Sequence, residues 1–306
     1  MGFLITGVGR HELHAALYQP THADQVSKPK GVLTFIIAIV QNSGIARGFP
    51  QFSWQFHFRK SMSASVFLDR FLVNRRGVEL TLEERSLLES AISEIRSISS
   101  RQTVIEAGEN VSVSTFLLEG IISRYIDDKK GLRQLVAIHV PGEFVDLHAY
   151  PMRELDHSIG TLTAATIAIV PHSALKDILD PRPELARKLW FSTLIDAALH
   201  RAWLFRVGRL DAVGRIAHFL CETNARLEAV KLSDGHRFAL GLTQSDIAEI
   251  CGLTTVHTNR AFRQLREAGL CNMRTSLVEI SDREALARRG DFNPHYLYLG
   301  QSPSAQ

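Results

Sequence analysis

Between Leu242 and Leu270 the chain carries two short helical patterns joined at a glycine, the most specific signal in the sequence. Thr243 is placed to cap the first helix, with Asp246 at its third position. Ala248 is small where two helices must cross closely. Gly252, four residues on, supplies the left-handed residue that a sharp bend requires. Ile247, Cys251 and Leu253 are expected to point inward, with Leu265 and Leu270 closing the unit. Thr254 caps a second helix, which Gly269 ends. Its outer face offers Thr255, His257, Asn259, Arg260, Arg263 and Arg266, with Val256 beside them.

Leu277–Ile280 fits the return strand of a β-wing, and Ser281–Glu284 reads as a capping box that starts a last helix. An Ala-x-x-x-Gly spacing alone would suit many helical hairpins. The capped polar second helix and the wing narrow the choice. Residues 254–267 hold three arginines against one acid, Glu267. Such a helix can enter a major groove with its N-terminal residues at base edges and its arginines on phosphate. The competing reading is a solvated helix face in a bundle.

The net charge of +3 over 306 residues is too mild to demand a nucleic-acid partner, so local charge must carry that argument. Of the 35 basic residues 27 are Arg, a bias that a GC-rich genome explains without any function. Cys221, Cys251 and Cys271 lack CxxC spacing, against a disulfide scaffold, a structural zinc site or a four-cysteine cluster. The longest apolar run, Val32–Val40, is far short of the ~20 residues that span a bilayer. It also begins too deep in the chain for a secretory signal. No membrane is implied, and the expected location is cytoplasmic.

Residues 1–61 show neither helical nor strand periodicity. They hold two acids, Glu12 and Asp24, and an aromatic cluster from Phe49 to Phe58. The texture changes at Met62: Ser63–Asn74 has apolar residues at helical spacing, and Thr81-Leu-Glu-Glu84 is a capping box. The expectation is a non-native or disordered extension, with translation starting at Met62. A membrane-surface or partner-binding extension is the alternative.

From Thr103 onward, β-rich runs are punctuated by glycine. Thr103–Glu109, Phe116–Tyr125 (broken at Gly120), Leu135–Val140 and Leu162–Val170 read as strands, with a tight turn at Pro141–Phe144. Closely spaced strands of this kind predict an antiparallel jelly-roll rather than βαβ units. Pro183 then suits a helix start, and Leu185, Leu189, Ser192, Ile195, Leu199 and Ala202 recur at three- and four-residue steps. Trp190, Leu194 and Ala198 widen the stripe enough to cover the roll and also meet a partner subunit. A joint is expected at Gly208 or Leu210-Asp211, before a second helix to about Val230.

On these residues, positions 80–280 resemble the Crp/Fnr superfamily of bacterial transcription regulators. Gly108-Glu109, Gly120, Gly142-Glu143-Phe144, the long helix, Leu210-Asp-x-x-Gly-Arg-Ile-Ala217 and the winged helix-turn-helix follow in the family's order. Val145-Asp-Leu-His148, Asp156-His-Ser158, Val256-His257 and Asn259-Arg260 place the chain in a branch of unknown effector. The resemblance implies an α+β chain: a roll sensor at 62–183, a dimerisation helix at 184–206, a DNA-binding domain at 207–290 and a tail at 291–306. It implies a homodimer on a two-fold symmetric double-stranded DNA operator, and RNA polymerase as partner if the protein activates. No catalysis or cofactor is expected. Thr243, Thr254, Thr255, Val256, His257, Asn259, Arg260, Arg263 and Arg266 are the expected DNA contacts.

For the effector pocket the resemblance points to Gly142, Glu143, Leu147, His148, His157 and Ser158. The positions matching the family's ribose-binding Glu and phosphate-binding Arg are Leu147 and, approximately, His157. Without that guanidinium a buried cyclic phosphate lacks its main charge partner, so cyclic AMP is not expected. No cysteine precedes Cys221, which leaves no N-terminal cluster for oxygen sensing. A cupin-like metal enzyme, or a metal or haem sensor, is the alternative. It would use His139, Asp146, His148, Asp156, His157 and His172, which are otherwise surface or strand-end residues.

Overall fold

A computed structural model describes residues 68–300. The expectations for residues 1–61, the start at Met62 included, lie outside the described residues. So do the beginning of the helical pattern at Ser63–Asn74 and the end of the tail.

After a 3-10 turn at Leu68–Arg70, Leu72 and Asn74 take positive φ, so the pattern ending at Asn74 does not close as a helix. The first helix, α1 (Leu82–Ser90), has the expected capping box: the Thr81 hydroxyl accepts from the Glu84 amide, and Glu84 accepts from the Thr81 amide. Seven strands follow. They are β1 (Glu94–Ile98), β2 (Thr103–Ile105), β3 (Val113–Glu119), β4 (Ile122–Asp127), β5 (Arg133–His139), β6 (Ser158–Thr161) and β7 (Ala165–Pro171), with a one-turn helix α2 (Ala149–Met152) after β5. They form two antiparallel sheets, β1-β7-β3 and β2-β6-β4-β5. Leu117, Ile167 and Ile169 of the first pack on Ile105, Ile122 and Ile159 of the second.

The strand expected over Leu162–Val170 begins later, at Ala165, because Leu162–Ala164 form a break that parts it from β6, which ends at Thr161. The break follows from the Gly120 turn, whose φ of +90° brings the backbone so close that a Cβ would stand 2.3 Å from the Ala164 carbonyl oxygen. Thr163 accepts from the Ile121 amide across the same turn. Four elements of the roll region went unforeseen: the strands β1 and β6, the one-turn helix α2 and the helix α3 (His172–Leu179).

The long helix α4 runs Pro183–Arg209, with Pro183 in its first turn, and so extends past Arg206. Arg206 is fully buried: it stacks on Trp203 at 4.2 Å and donates to the Ile250 carbonyl, which anchors that last turn. Gly208 is therefore helical, and the joint is at Leu210-Asp211. Asp211 caps α5 (Ala212–Ala229) by accepting from the Gly214 amide. The early part of α4 lies on the roll, where Leu185 and Leu189 join Phe71, Phe116 and Leu118 in one apolar cluster.

Beyond α5, β8 (Arg237–Ala239), β9 (Cys271–Arg274) and β10 (Leu277–Ile280) form a small antiparallel sheet of order β8-β10-β9. It flanks α6 (Gln244–Cys251) and α7 (Thr255–Glu267). The last helix, α8 (Arg283–Arg289), is capped by Asp282 accepting from the Ala285 amide, not by the box expected from Ser281. The tail continues into a 3-10 turn at Pro294–Leu297. The roll and the C-terminal head share one core, in which Ile121, Tyr125 and Leu135 meet Leu240, Leu242 and Ile247.

Candidate nucleic-acid interface

The helical pair α6–α7 is fixed by local chemistry. The Thr243 hydroxyl accepts from the Asp246 amide at 3.2 Å and donates to its carboxylate at 2.7 Å, while that carboxylate accepts from the Thr243 amide. Gly252 takes φ +61°, which lets the chain turn sharply into Thr254. Thr254 caps α7 by accepting from the His257 amide, and its hydroxyl also stands 3.1 Å from His257 Nδ1.

Thr258, Ala261, Phe262 and Leu265 turn α7's inner face into the core. Thr254, Thr255, Val256, His257, Asn259, Arg260, Arg263 and Arg266 are exposed on the other side. Val256 is 67% exposed. Val256, Asn259, Arg260, Arg263 and Arg266 border a groove of about 470 Å³. Among the described residues none of those arginines forms an ion pair. Their charge faces outward over a face with no carboxylate before Glu267.

Thr243 differs from its companions, because its hydroxyl is committed to the cap. Gln244 and Asn272 border the groove and were not among the expected contacts. Gln244 follows the cap directly, a position the N-terminus of α6 could have flagged. Asn272 comes from β9 and is brought there only by the fold.

Residues 214–289 match a Crp-like helix-turn-helix domain. The chain is 21% identical to the anaerobic regulatory protein of Aggregatibacter actinomycetemcomitans over 242 residues, covering 78% of this chain and 94% of the relative. It is 22% identical to the fumarate and nitrate reduction regulatory protein of Escherichia coli over 218 residues, covering 71% and 87%. The helix-turn-helix is thus of the Crp-like family, and the chain as a whole resembles the Crp/Fnr regulators.

The fold agrees. FixK2 from Bradyrhizobium japonicum superposes with a TM-score of 0.59 at 22% identity, covering 64% of this chain and 96% of that one. The protein is thus a transcription regulator with a DNA-binding helix-turn-helix and a roll of the cyclic-nucleotide-binding type. The metal-enzyme alternative is not favoured. Among the described residues no three His, Cys, Asp or Glu side chains are grouped to hold a metal ion. No described helix is long and apolar enough to cross a membrane.

In the roll the six expected effector residues fall into three places. Gly142 and Glu143 form the turn after β5, beside a cavity of about 50 Å³. Gly142, at φ +98°, presses so closely on the backbone of Arg70 that a Cβ would not fit. Burial alone would raise the Glu143 carboxyl, but the Arg226 guanidinium and the His139 ring hold it well below the usual range. Leu147 is buried among Phe71, Phe116 and Phe144.

His148 and His157 lie together, ring centroids 5.3 Å apart, with His157 Nδ1 2.7 Å from Asp156. The Ser158 hydroxyl is spent on the Ala107 amide and Glu106. His172 stands elsewhere, 3.2 Å from the Ser114 hydroxyl. Sequence reasoning missed Arg124, buried on β4. It donates to the Val145 carbonyl and pairs with Asp196 of α4, so it joins sensor roll to long helix. An arginine amid Ile122, Ser123 and Tyr125 was the available signal.

Proposed function

We propose that the protein is a dimeric, sequence-specific cytoplasmic regulator that reads a two-fold operator with α7 and answers to a small molecule other than cyclic AMP. The observation that carries this reading is the outward face of α7, where base-readable side chains precede a run of unpaired arginines beside the wing. Arg260 is the guanine reader, through O6 and N7. The Val256 methyls suit a thymine methyl, His257 and Asn259 read alongside, and Arg263 and Arg266 hold phosphate. Thr254 and Thr255 sit at the helix end that enters the groove. If the protein activates, RNA polymerase is the further partner.

Dimerisation is supported by α4. Trp190, Leu194 and Leu204 are exposed at 62, 49 and 76% along a helix whose opposite side covers the roll. Their spacing of four and ten residues keeps them on one stripe, as a helical seam requires. Two copies joined there would place two reading helices ~34 Å apart, one turn of DNA. In the proposed division, 62–183 senses, 184–206 pairs the subunits and 207–290 binds DNA. Light scattering combined with a gel shift on promoter DNA tests the reading. A dimer that shifts DNA supports it, and a stable monomer at micromolar concentration contradicts it.

A further inference from the structure

The segment after the matched head does not leave the protein. Beyond α8 the chain turns at Asp291, crosses α5 and α4, and returns to the first described residues of the roll. There the Arg76 amide donates to the Tyr298 carbonyl at 2.8 Å, and the Gly300 amide donates to the Asn74 carbonyl at 2.9 Å. The Arg75 side chain also donates to the Leu297 carbonyl.

On the way, Leu297 is fully buried with Ile195 and Leu199 of α4, and Tyr298 meets Phe191 edge to face at 5.7 Å. At the head end the Tyr296 hydroxyl donates to Glu222 at 2.6 Å and lies 3.1 Å from His218 Nε2. Glu222 accepts as well from Trp203 of α4 at 2.9 Å, and His218 shares a hydrogen bond with the Gly290 carbonyl. One short segment thus ties the start of the roll, α4 and α5 together. Its polar anchor is buried, where an unmade hydrogen bond costs most.

The covalent link between α4 and α5 is slight by comparison. Only Leu210, at φ −91° and ψ 147°, and Asp211, at φ −71° and ψ 174°, are extended there, and the two form a natural hinge. We infer that residues 291–300 are a strap that sets the angle of the DNA-binding head against α4 and the roll. Releasing the strap loosens the head about Leu210-Asp211, leaving the shared core and the Arg226–Glu143 pair among its remaining ties to the roll.

The test uses the full chain with spin labels on introduced cysteines at the exposed positions Lys130 and Gln264. The native cysteines are buried, and burial pushes their thiols up to about 12, 11 and 12, so they label slowly. The unsubstituted strap should give one narrow roll-to-head distance. Leu297→Asp should widen it at least twofold with secondary structure retained. Tyr296→Phe and Arg75→Ala, each removing one tie, should widen it less and carry the test if Leu297→Asp does not fold. Unchanged widths in the folded variants would overturn the inference. The readout needs no DNA, so its failure is separate from any failure of the DNA-binding reading.

Discussion

Arg226 of α5 donates to Glu143 of the roll turn through Nε at 3.1 Å and Nη2 at 2.6 Å, making a buried ion pair between head and sensor across 83 residues of chain. The same guanidinium donates to the Ile138 carbonyl and lies 3.6 Å from Glu222. A pair that carries extra hydrogen bonds on both sides can offset its desolvation. A second tie, Arg101 to Asp246 of α6, reaches from the β1–β2 turn to the cap of the helix-turn-helix. The roll is thus tied to the head at two places, α5 and the cap of α6.

Removing one partner of the buried pair strands the other. Arg226→Met should cost about 3–5 kcal/mol in urea unfolding, because Glu143 is left charged and unpaired. Glu143→Gln, which keeps an acceptor for Arg226, should cost less. Equal and small losses from both would mean that the pair is not what joins head to roll.

His139 gives the stability a pH dependence of known sign. Burial first, and the Arg124 charge second, push its ring down to about 4 from 6.5. The unfolded chain therefore binds the proton that the folded chain refuses, and stability falls as pH drops from 6.5 toward 4. His139→Gln should remove this slope. Relative to the variant, the unsubstituted protein should lose about 2 kcal/mol between pH 6.5 and 5 by denaturant titration. Parallel curves for the two proteins would contradict the assignment.

Cyclic AMP should leave the melting temperature unchanged. Leu147 is packed in the core and His157 is held by Asp156, so neither offers a ribose or a cyclic phosphate what it needs. A ligand at 100 times its dissociation constant adds ~2.7 kcal/mol, easily seen in a melting curve. A saturable rise with cyclic AMP would show that other residues serve it.

Much of the reading unit was legible because its determinants are local. Thr243, Gly252 and Thr254 each act within a few residues, through a cap or a left-handed turn. The exposed face of α7 follows from helical period alone. What stayed hidden is long-range or unpatterned. β1 lies at a sheet edge with four of its five residues exposed, so it shows no alternation. The pairs Arg124–Asp196, Arg226–Glu143 and Tyr296–Glu222 join residues 72 to 83 positions apart, and spacing cannot announce them. The expected effector residues are grouped by the family resemblance, not by a pattern in the chain. The roll separates them because the chain after β5 sends neighbours to different partners, Leu147 to the aromatic cluster and His148 to His157.

The most direct measurement is binding selection on randomised duplexes with the intact protein, Arg260→Ala and Arg266→Ala. The intact protein should enrich an inverted repeat with half-sites one DNA turn apart. Arg260→Ala should cost ~1–3 kcal/mol and relax one base pair in each half-site. Arg266→Ala should weaken all sequences alike and shallow the salt dependence. No enriched repeat, or an Arg260→Ala profile that keeps the intact preference at every position, would contradict the reading of α7 as the helix that recognises DNA.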